Sequence, residues 1–155
     1  MRILLDTNVL LVHATGMFDR SRLRDVKLGV LANPEEEYER LAIVITRATN
    51  VATTWSVLTE FANLAERKLA LGGDAFVRFM DSYGDFLSRL DIVALRKDDL
   101  LASDALQFGL PDCSLVEAGH GSGAAIFTRD DALRGYCEAI GVPTFPFWDA
   151  LFGPL

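Results

Sequence analysis

The sequence predicts a single α/β domain with a largely parallel sheet. Short apolar runs that suit buried strands alternate with longer segments that have helix caps and helical periodicity, an order typical of parallel sheets. The chain has 155 residues, the length of one domain with a substantial core. Hydrophobic residues make up 50% of it and charged residues 24%, which indicates a folded rather than a disordered protein.

The strands that the sequence predicts are short. The first, at residues 3–5, is an unbroken apolar run of the kind found in strands buried on both faces of a parallel sheet. The other expected strands lie at residues 50–53, 91–95 and 124–127, with a short fifth strand at 141–145.

The segments between these strands carry helix signals. Helices are expected at residues 8–14, 33–48, 54–71 and 74–87, and from 98, 111 and 128 onward. Asn33 and Pro34 combine a cap with a first-turn proline, and the glutamates at 35–37 favour the helix dipole and are expected on a solvated face. Residues 16–27 are expected to form a loop, and the aromatic tail, 145–155, to pack on the body.

The helix predicted at 54–71 has two distinct stripes. Thr54 is its expected N-cap. Polar residues share one stripe and apolar residues share another: Ser56, Glu60, Asn63 and Arg67 against Trp55, Leu58, Ala62, Ala65 and Leu69. Periodicity alone therefore makes Glu60 an ordinary residue of the polar face.

The charge balance is acidic. Lys and Arg number 15 against 22 Asp and Glu, a formal net charge of -7, which argues against broad non-specific binding of nucleic acid and fits a protein that gathers carboxylates around a cation. One cationic cluster stands out, formed by Arg20, Arg22, Arg24 and Lys27. It is interpreted as a solvated loop, with contact to an RNA phosphate backbone as the alternative.

Cysteine usage and hydropathy favour a cytoplasmic protein without membrane association. Cys113 and Cys137 belong to no zinc pattern and do not make a disulfide framework. No signal peptide is recognisable, and no apolar run approaches the ~20 residues of a membrane helix. His13 and His120 are expected to be structural or exposed rather than general bases.

Acidic residues follow the first and fourth predicted strands. Asp6 and Asp130 lie at these strand ends, and Asp112 opens a helix near the same sheet edge. Each of them is also a plausible helix cap. Carboxylates brought together repel one another unless a hard cation such as Mg²⁺ or Mn²⁺ lies between them. The arrangement predicts metal-assisted phosphoryl chemistry, in which the ion activates water and neutralises a phosphate.

Four acid-bearing blocks occur in a distinctive order. They are Leu5-Asp6-Thr7-Asn8-Val9-Leu10, Ser56-Val57-Leu58-Thr59-Glu60-Phe61, Gly109-Leu110-Pro111-Asp112-Cys113-Ser114-Leu115 and Phe127-Thr128-Arg129-Asp130. In this order the sequence resembles the PIN domain family, the nuclease family to which VapC-type toxins belong. The resemblance covers the chain from Arg2 to about Phe147.

The resemblance implies more than the spacing does. It implies a three-layer α/β/α sandwich over a single domain, residues 1–155, and adds Glu60 to the metal ligands Asp6, Asp112 and Asp130. It implies a Mg²⁺- or Mn²⁺-dependent endoribonuclease, expected to be the toxin of a type II toxin–antitoxin pair. RNA, a small antitoxin and a second copy of the chain are the expected partners. The expected supporting residues around the metal are Thr7, Asn8, Ser114 and Thr128.

The sequence also departs from the family pattern. Ser114 stands where many relatives place another acid, and the segment 16–32 is longer than in compact members. Asp131 competes with Asp130, but the Thr-x-Asp spacing favours Asp130. Two alternatives stay open: a catalytically degenerate PIN-like module that binds protein, and a haloacid-dehalogenase-type phosphatase. The phosphatase needs a second Asp where this chain has Asn8, and a phosphoacceptor receiver fits less well because Asp91 begins its strand.

Overall fold

Four parallel strands form one sheet in a computed structural model that describes residues 1–154. The strands are β1 (Arg2–Leu5), β2 (Asn50–Thr53), β3 (Asp91–Ile92) and β4 (Ala125–Phe127). They are arranged in the order β3-β2-β1-β4, and every pair is parallel. The predicted α/β fold class is confirmed, and the architecture is compatible with a three-layer α/β/α single domain.

The connecting segments are helical. The helices are α1 (Thr7–Phe18), α2 (Leu23–Val26), α3 (Pro34–Arg47), α4 (Trp55–Lys68), α5 (Gly73–Ser82), α6 (Gly84–Arg89), α7 (Lys97–Ala102), α8 (Leu110–Ser122), α9 (Asp131–Ile140) and α10 (Phe147–Phe152). Two short 3₁₀ segments lie at Arg20–Arg22 and Asp104–Phe108.

Strand β1 lies between β2 and β4 at the centre of the sheet. Ile3, Leu4 and Leu5 are completely buried, as expected of a strand covered on both faces. The pairing with β4 continues one residue past the strand, where the Asp6 N–H donates to the Phe127 carbonyl over 3.2 Å. Asp6 is therefore held beside the end of β4.

Two predicted helix caps are confirmed. The Asn33 side chain accepts a hydrogen bond from the Glu35 N–H and starts α3, and the Thr54 hydroxyl accepts one from the Val57 N–H and starts α4. Asp74 is not a cap, because Gly72 takes the N-cap position of α5.

Helix α1 is longer than predicted. It runs to Phe18 and absorbs part of the segment expected to be a loop, which also contains a 3₁₀ turn and α2. Most of the helix is buried, including His13 and Thr15, so no polar face marks where it ends. Gly16 allows α3 to approach, because a Cβ at that position would overlap the Tyr38 ring.

Glu37 corrects the expectation that the three glutamates of α3 are solvated. Its side chain is fully buried and accepts hydrogen bonds from the backbone N–H groups of Leu28, Val30 and Leu31. These bonds hold the segment between α2 and α3 against the start of α3. Charge-assisted bonds of this kind compensate the loss of water around a carboxylate.

The remaining boundaries differ by a few residues. Strand β3 has only two residues, and the predicted fifth strand is a single bridge between Ile126 and Thr144. The helix predicted at 74–87 is divided in two, at Tyr83. Helix α4 ends at Lys68, before Ala70 adopts a left-handed backbone conformation with φ of 50°.

The aromatic tail packs on the body as predicted, within the residues that the structure describes. Phe147 and Leu151 of α10 are fully buried, and the Phe147 ring lies 5.7 Å from that of Phe127 at the end of β4. Across residues 1–154, none of the helices combines the length and the apolar character that crossing a membrane requires.

Candidate metal centre

A cavity of about 440 Å³ lies where β1 and β4 end. We call it the acid cavity. Its lining consists almost entirely of polar and charged side chains: Asp6, Asn8, Glu60, Asp112, Arg129, Asp130 and Asp131. All four carboxylates that the sequence analysis assigned to a metal site are among them. Residues up to 125 positions apart in sequence thus contribute to one cavity.

Asp6 is the most buried of these acids. Its carboxylate accepts hydrogen bonds from the Thr7 N–H and, over 2.6 Å, from the Thr128 hydroxyl. Burial raises the pKa of Asp6 to about 6, although these two hydrogen bonds oppose the shift, and the negative charges of Glu60 and Asp130 raise it further. Asp6 thus lies in the electrostatic field of the other carboxylates.

Glu60 reaches the cavity from the second turn of α4. The same helix packs in the core through Val57, Phe61 and Ala65. The Thr7 hydroxyl donates to the Glu60 carboxylate over 2.6 Å. Because Thr7 also donates its N–H to Asp6, this one residue connects two of the acids. Of the polar stripe predicted for α4, Glu60 is the member that lines the acid cavity.

Asp112 lies in the first turn of α8, where Gly109 rather than Asp112 occupies the N-cap position. Burial raises the pKa of the Asp112 carboxyl to about 7, and the negative charges of Asp6, Asp130 and Glu60 add to the effect. All four acids thus face the same space closely enough to influence one another. Such shifts are typical of functional sites, although structural clusters also produce them.

Asp130 is both a helix cap and a cavity residue. Its carboxylate accepts a hydrogen bond from the Leu133 N–H over 3.0 Å and starts α9, and its own N–H donates to the Thr128 hydroxyl. Asp131 also lines the cavity, but its carboxylate forms an ion pair with Arg134 at 3.0 Å and accepts a hydrogen bond from Trp148. Of the two aspartates, Asp130 is the one that no ion pair involves within residues 1–154.

The predicted supporting residues behave differently from one another. Thr7 and Thr128 hydrogen-bond to cavity carboxylates, as expected, and Asn8 lines the cavity. The Ser114 hydroxyl instead lies 2.6 Å from both the Thr54 hydroxyl and the Pro111 carbonyl. Ser114 therefore joins the start of α8 to the start of α4 and does not orient a carboxylate.

The predicted RNA-contacting cluster does not line the acid cavity. Arg20 forms an ion pair with Glu39, Arg22 bonds to Asp25 and to the Leu69 carbonyl, and Arg24 donates to the Ser21 carbonyl. These residues and Lys27 follow α1, whose 12 residues lead roughly 18 Å away from Asp6. An RNA contact by this cluster remains a prediction.

The cavity contains one basic residue that the sequence analysis did not single out. Arg129 lies between Thr128 and Asp130 and is exposed. No ion pair involves it within residues 1–154. Its position at a strand end was the available signal. The two histidines are as expected, since His13 is buried against Tyr83 and His120 is exposed, and neither lines the cavity.

The chemistry of the donor set fits a hard divalent cation. The acid cavity offers carboxylate oxygens and no cysteine or histidine, the preference of Mg²⁺ and Mn²⁺. In the described part of the chain, however, no three His, Cys, Asp or Glu side chains are already drawn together as a metal-binding group. Like-charged groups favour a spread arrangement when no cation lies between them. The acids thus share a cavity without forming a closed ligand set.

Comparison with known proteins adds no assignment. No model of a protein family matches the chain, and no curated protein matches it significantly.

Proposed function

We propose that the protein is a metal-dependent endoribonuclease of the PIN-domain type. The observation that supports this most directly is the convergence of Asp6, Glu60, Asp112 and Asp130, from four separate elements, on one open cavity. Burial raises the pKa of Asp6 and of Asp112, and the negative charges of neighbouring acids raise both further, which shows that these acids lie close to one another. A divalent cation would compensate the charge of these carboxylates, and it would activate water and neutralise the phosphate in phosphodiester hydrolysis.

The proposed ligands are Asp6, Asp112 and Asp130, with Glu60 binding directly or through water. When bound, Mg²⁺ or Mn²⁺ supplies positive charge for the scissile phosphate and lowers the pKa of a coordinated water. The chain's own residues hold the ligands in place. The Thr128 hydroxyl orients Asp6, and the Thr7 hydroxyl orients Glu60. Side chains held in this way lose little freedom when a ligand binds.

Arg129 is the proposed contact for the substrate's phosphates. It is the basic side chain among the cavity-lining residues, and its guanidinium has no carboxylate partner in the described chain. A planar guanidinium binds phosphate oxygens in bidentate fashion. It would attract the backbone of RNA to a cavity whose acids otherwise repel it, and it would stabilise charge that develops during cleavage.

The biological setting is part of the same proposal. By its resemblance to VapC-type toxins, the protein is the toxin of a type II toxin–antitoxin pair and acts in the cytoplasm as a homodimer. Its partner is then a small antitoxin whose segment covers the acid cavity, with an Arg near the carboxylates. A short reading frame immediately upstream of the gene is the simplest genomic observation that would support this setting.

The decisive experiment is a cleavage assay on total RNA with Mg²⁺ or Mn²⁺. We expect wild-type protein to cleave RNA and to gain thermal stability when metal is added, because the ion binds the folded state alone. Asp6→Asn and Asp112→Asn should abolish cleavage, by about 100-fold or more, and reduce the metal-induced shift in melting temperature. Asp131→Asn is the matched control, because Asp131 lines the same cavity but is paired with Arg134.

Other outcomes would identify the competing functions. Wild-type protein that neither binds metal nor cleaves RNA would contradict the nuclease and favour the degenerate protein-binding module. Hydrolysis of small phosphate esters without RNA cleavage would favour the phosphatase. The acid cavity already argues against the latter, because Asn8 and not a second aspartate lines it two residues after Asp6.

A further inference from the structure

A second cavity, of about 540 Å³, lies at the opposite end of the sheet from the acid cavity. We call it the His13 cavity. Its walls come from the later turns of α1, the end of α3, the start of β2 and the end of α6: His13, Met17, Ile45, Thr46, Ala48, Thr49, Val51, Phe86, Arg89 and Leu90. It shares no lining residue with the acid cavity. Its volume is in the range of sites for small molecules.

The hydrogen bond between His13 and Tyr83 fixes the state of the histidine. The Tyr83 hydroxyl is buried, and its partner in the described structure is the His13 Nδ1 atom, at 2.8 Å. Burial raises the pKa of Tyr83 well above its usual value and lowers that of His13 to about 4, so both side chains are neutral at pH 7. Among the described residues the Tyr83 hydroxyl has no other acceptor, so we assign its proton to the bond with Nδ1 and the imidazole proton to Nε2.

His13 lines the cavity, and because its Nδ1 is engaged by Tyr83, Nε2 is the ring nitrogen left for a ligand. Within residues 1–154 it has no hydrogen-bond partner, and His13 itself is 7% exposed. Among the described residues, two polar side-chain atoms are inaccessible to solvent and have no hydrogen-bond partner. They are Asn50 Oδ1 and Arg134 Nη1. Nε2 is not among them, and His13 is a lining residue of the cavity. Most buried polar groups find a partner, and this donor has none from the chain.

Arg89 supplies a second donor at the rim. It is exposed at the end of α6, its Nε–H donates to the Asp85 carbonyl over 3.1 Å, and no ion pair involves its guanidinium in the part of the chain described. Among residues 1–154 no carboxylate lines the cavity, although the protein as a whole carries a net charge of -7. Ile45, Val51 and Leu90 give it an apolar wall.

We propose that the His13 cavity binds a small organic monocarboxylate with an aromatic or branched apolar body. The carboxylate oxygens accept hydrogen bonds from the Arg89 guanidinium and the His13 Nε2–H. The hydrocarbon part packs against Ile45, Val51 and Leu90. Two donors above an apolar wall, with no competing acid, select an anionic head over a neutral or cationic one. This site is independent of the proposed nuclease activity.

The test uses 3-phenylpropionate as the probe, with 3-phenylpropanamide and phenethylamine as the neutral and cationic analogues. Binding is followed by NMR titration of protein labelled with ¹⁵N, including the histidine side chains. A fragment of this size should bind with a Kd of about 1 mM. We expect the His13 Nε2 resonance to shift, and the amide and the amine to bind at least about tenfold more weakly because they lack the charge-assisted bond.

Arg89→Gln isolates the charged contact without disturbing the buried histidine. It should weaken binding of the carboxylate about tenfold and leave binding of the amide unchanged. Arg67→Gln, an exposed change on α4 outside the cavity, is the matched control and should bind like wild type. The proposal is wrong if the probe leaves the His13 resonance unmoved at concentrations of about ten times that Kd. It is equally wrong if carboxylate and amide bind alike in wild type and in Arg89→Gln.

Discussion

The two cavities lie at opposite ends of the sheet and share helix α1, yet their chemistry is opposite. At its first turn, α1 presents Thr7 beside the carboxylates of the acid cavity. Six residues later, and roughly 9 Å along the helix axis, it presents His13 to a cavity without any acid. The acid cavity therefore concentrates hydrogen-bond acceptors, and the His13 cavity concentrates hydrogen-bond donors.

Burial acts on both ends by the same mechanism but with opposite results. It disfavours the charged form of every titratable group, which raises the pKa of Asp6 to about 6 and lowers the pKa of His13 to about 4. At the acid end the neighbouring carboxylates add to the shift. At the His13 cavity the histidine instead forms a hydrogen bond with a neutral partner, the Tyr83 hydroxyl. The acid cavity is thus suited to a cation and the His13 cavity to an anion.

The largest expected effect is on the pH dependence of stability in metal-free buffer. Between about pH 4 and pH 6, folded Asp6 retains a proton that the unfolded chain has lost, so its contribution to the free energy of unfolding falls as pH rises. Folded His13 lacks a proton that the unfolded chain still binds, so its contribution rises with pH. Each effect is on the order of 3 kcal/mol over this window. Asp112, whose pKa is raised to about 7, adds to the fall from Asp6, so the stability of wild type falls as pH rises in spite of His13.

Variants separate the two effects in chemical denaturation at several pH values. Asp6→Asn should make the fall of stability with pH shallower, because the rise from His13 is then opposed by Asp112 alone. His13→Gln should leave a stability that falls with pH, and Asp112 extends that fall towards pH 7. Identical pH slopes for wild type and both variants would contradict the opposed titration of the two ends.

A smaller effect is expected at Gly16, on the part of α1 that α3 approaches. Gly16→Ala should lower the free energy of unfolding by about 2 kcal/mol, because the added methyl group overlaps the Tyr38 ring, which stacks on His13. The disturbance should weaken carboxylate binding at the His13 cavity and spare the metal-induced stabilisation at the acid cavity. The measurements are denaturant unfolding and the two binding assays.

Gly135→Ala is the control for Gly16→Ala. Gly135 is exposed on α9 with open space around its Cα, so alanine should raise stability by about 0.5–1 kcal/mol through helix propensity. Equal effects of the two substitutions would show that Tyr38 does not confine Gly16.

The smallest expected effect is that of Tyr83→Phe, which tests the tautomer of His13 while keeping the aromatic ring packed beside it. Tyr83→Phe removes the hydroxyl that donates to Nδ1 and should cost about 1 kcal/mol, because a buried acceptor then loses its partner. Histidine ¹⁵N shifts should report a mixture of tautomers instead of one. Tyr136→Phe should change stability by less than about 0.5 kcal/mol, since the Tyr136 hydroxyl makes no hydrogen bond in the described chain. Unchanged shifts in Tyr83→Phe would exclude the assigned proton position.

The features that were predicted correctly depend on neighbours in sequence. The caps at Asn33 and Thr54 involve residues two and three positions away, and the buried run of β1 is continuous. The extent of α1 was missed because a helix covered on most sides has no polar stripe to delimit it. The burial of Glu37 was missed because its partners are backbone groups of a preceding loop, whose path no periodicity reveals.

The residues of the acid cavity likewise divide into those that local sequence predicts and those that it does not. Asp6 and Asp130 follow from their positions at strand ends, whereas Glu60 entered only through the resemblance to the PIN domain family. Its contact with Thr7 spans 53 residues, and local pattern carries no information about such a pair. The expected role of Ser114 beside the carboxylates was wrong, because its hydroxyl contacts Thr54 and the Pro111 carbonyl instead.

The central position of β1 has a consequence for how the chain is made. This strand pairs with residues 50–52 on one side and with residues 125–127 on the other. A ribosome must therefore release most of the domain before Ile3, Leu4 and Leu5 gain both neighbours. Until then a fully apolar segment is open to unwanted association, and pairings so distant in sequence form slowly. We expect the nascent protein to depend on chaperones for longer than its modest size suggests.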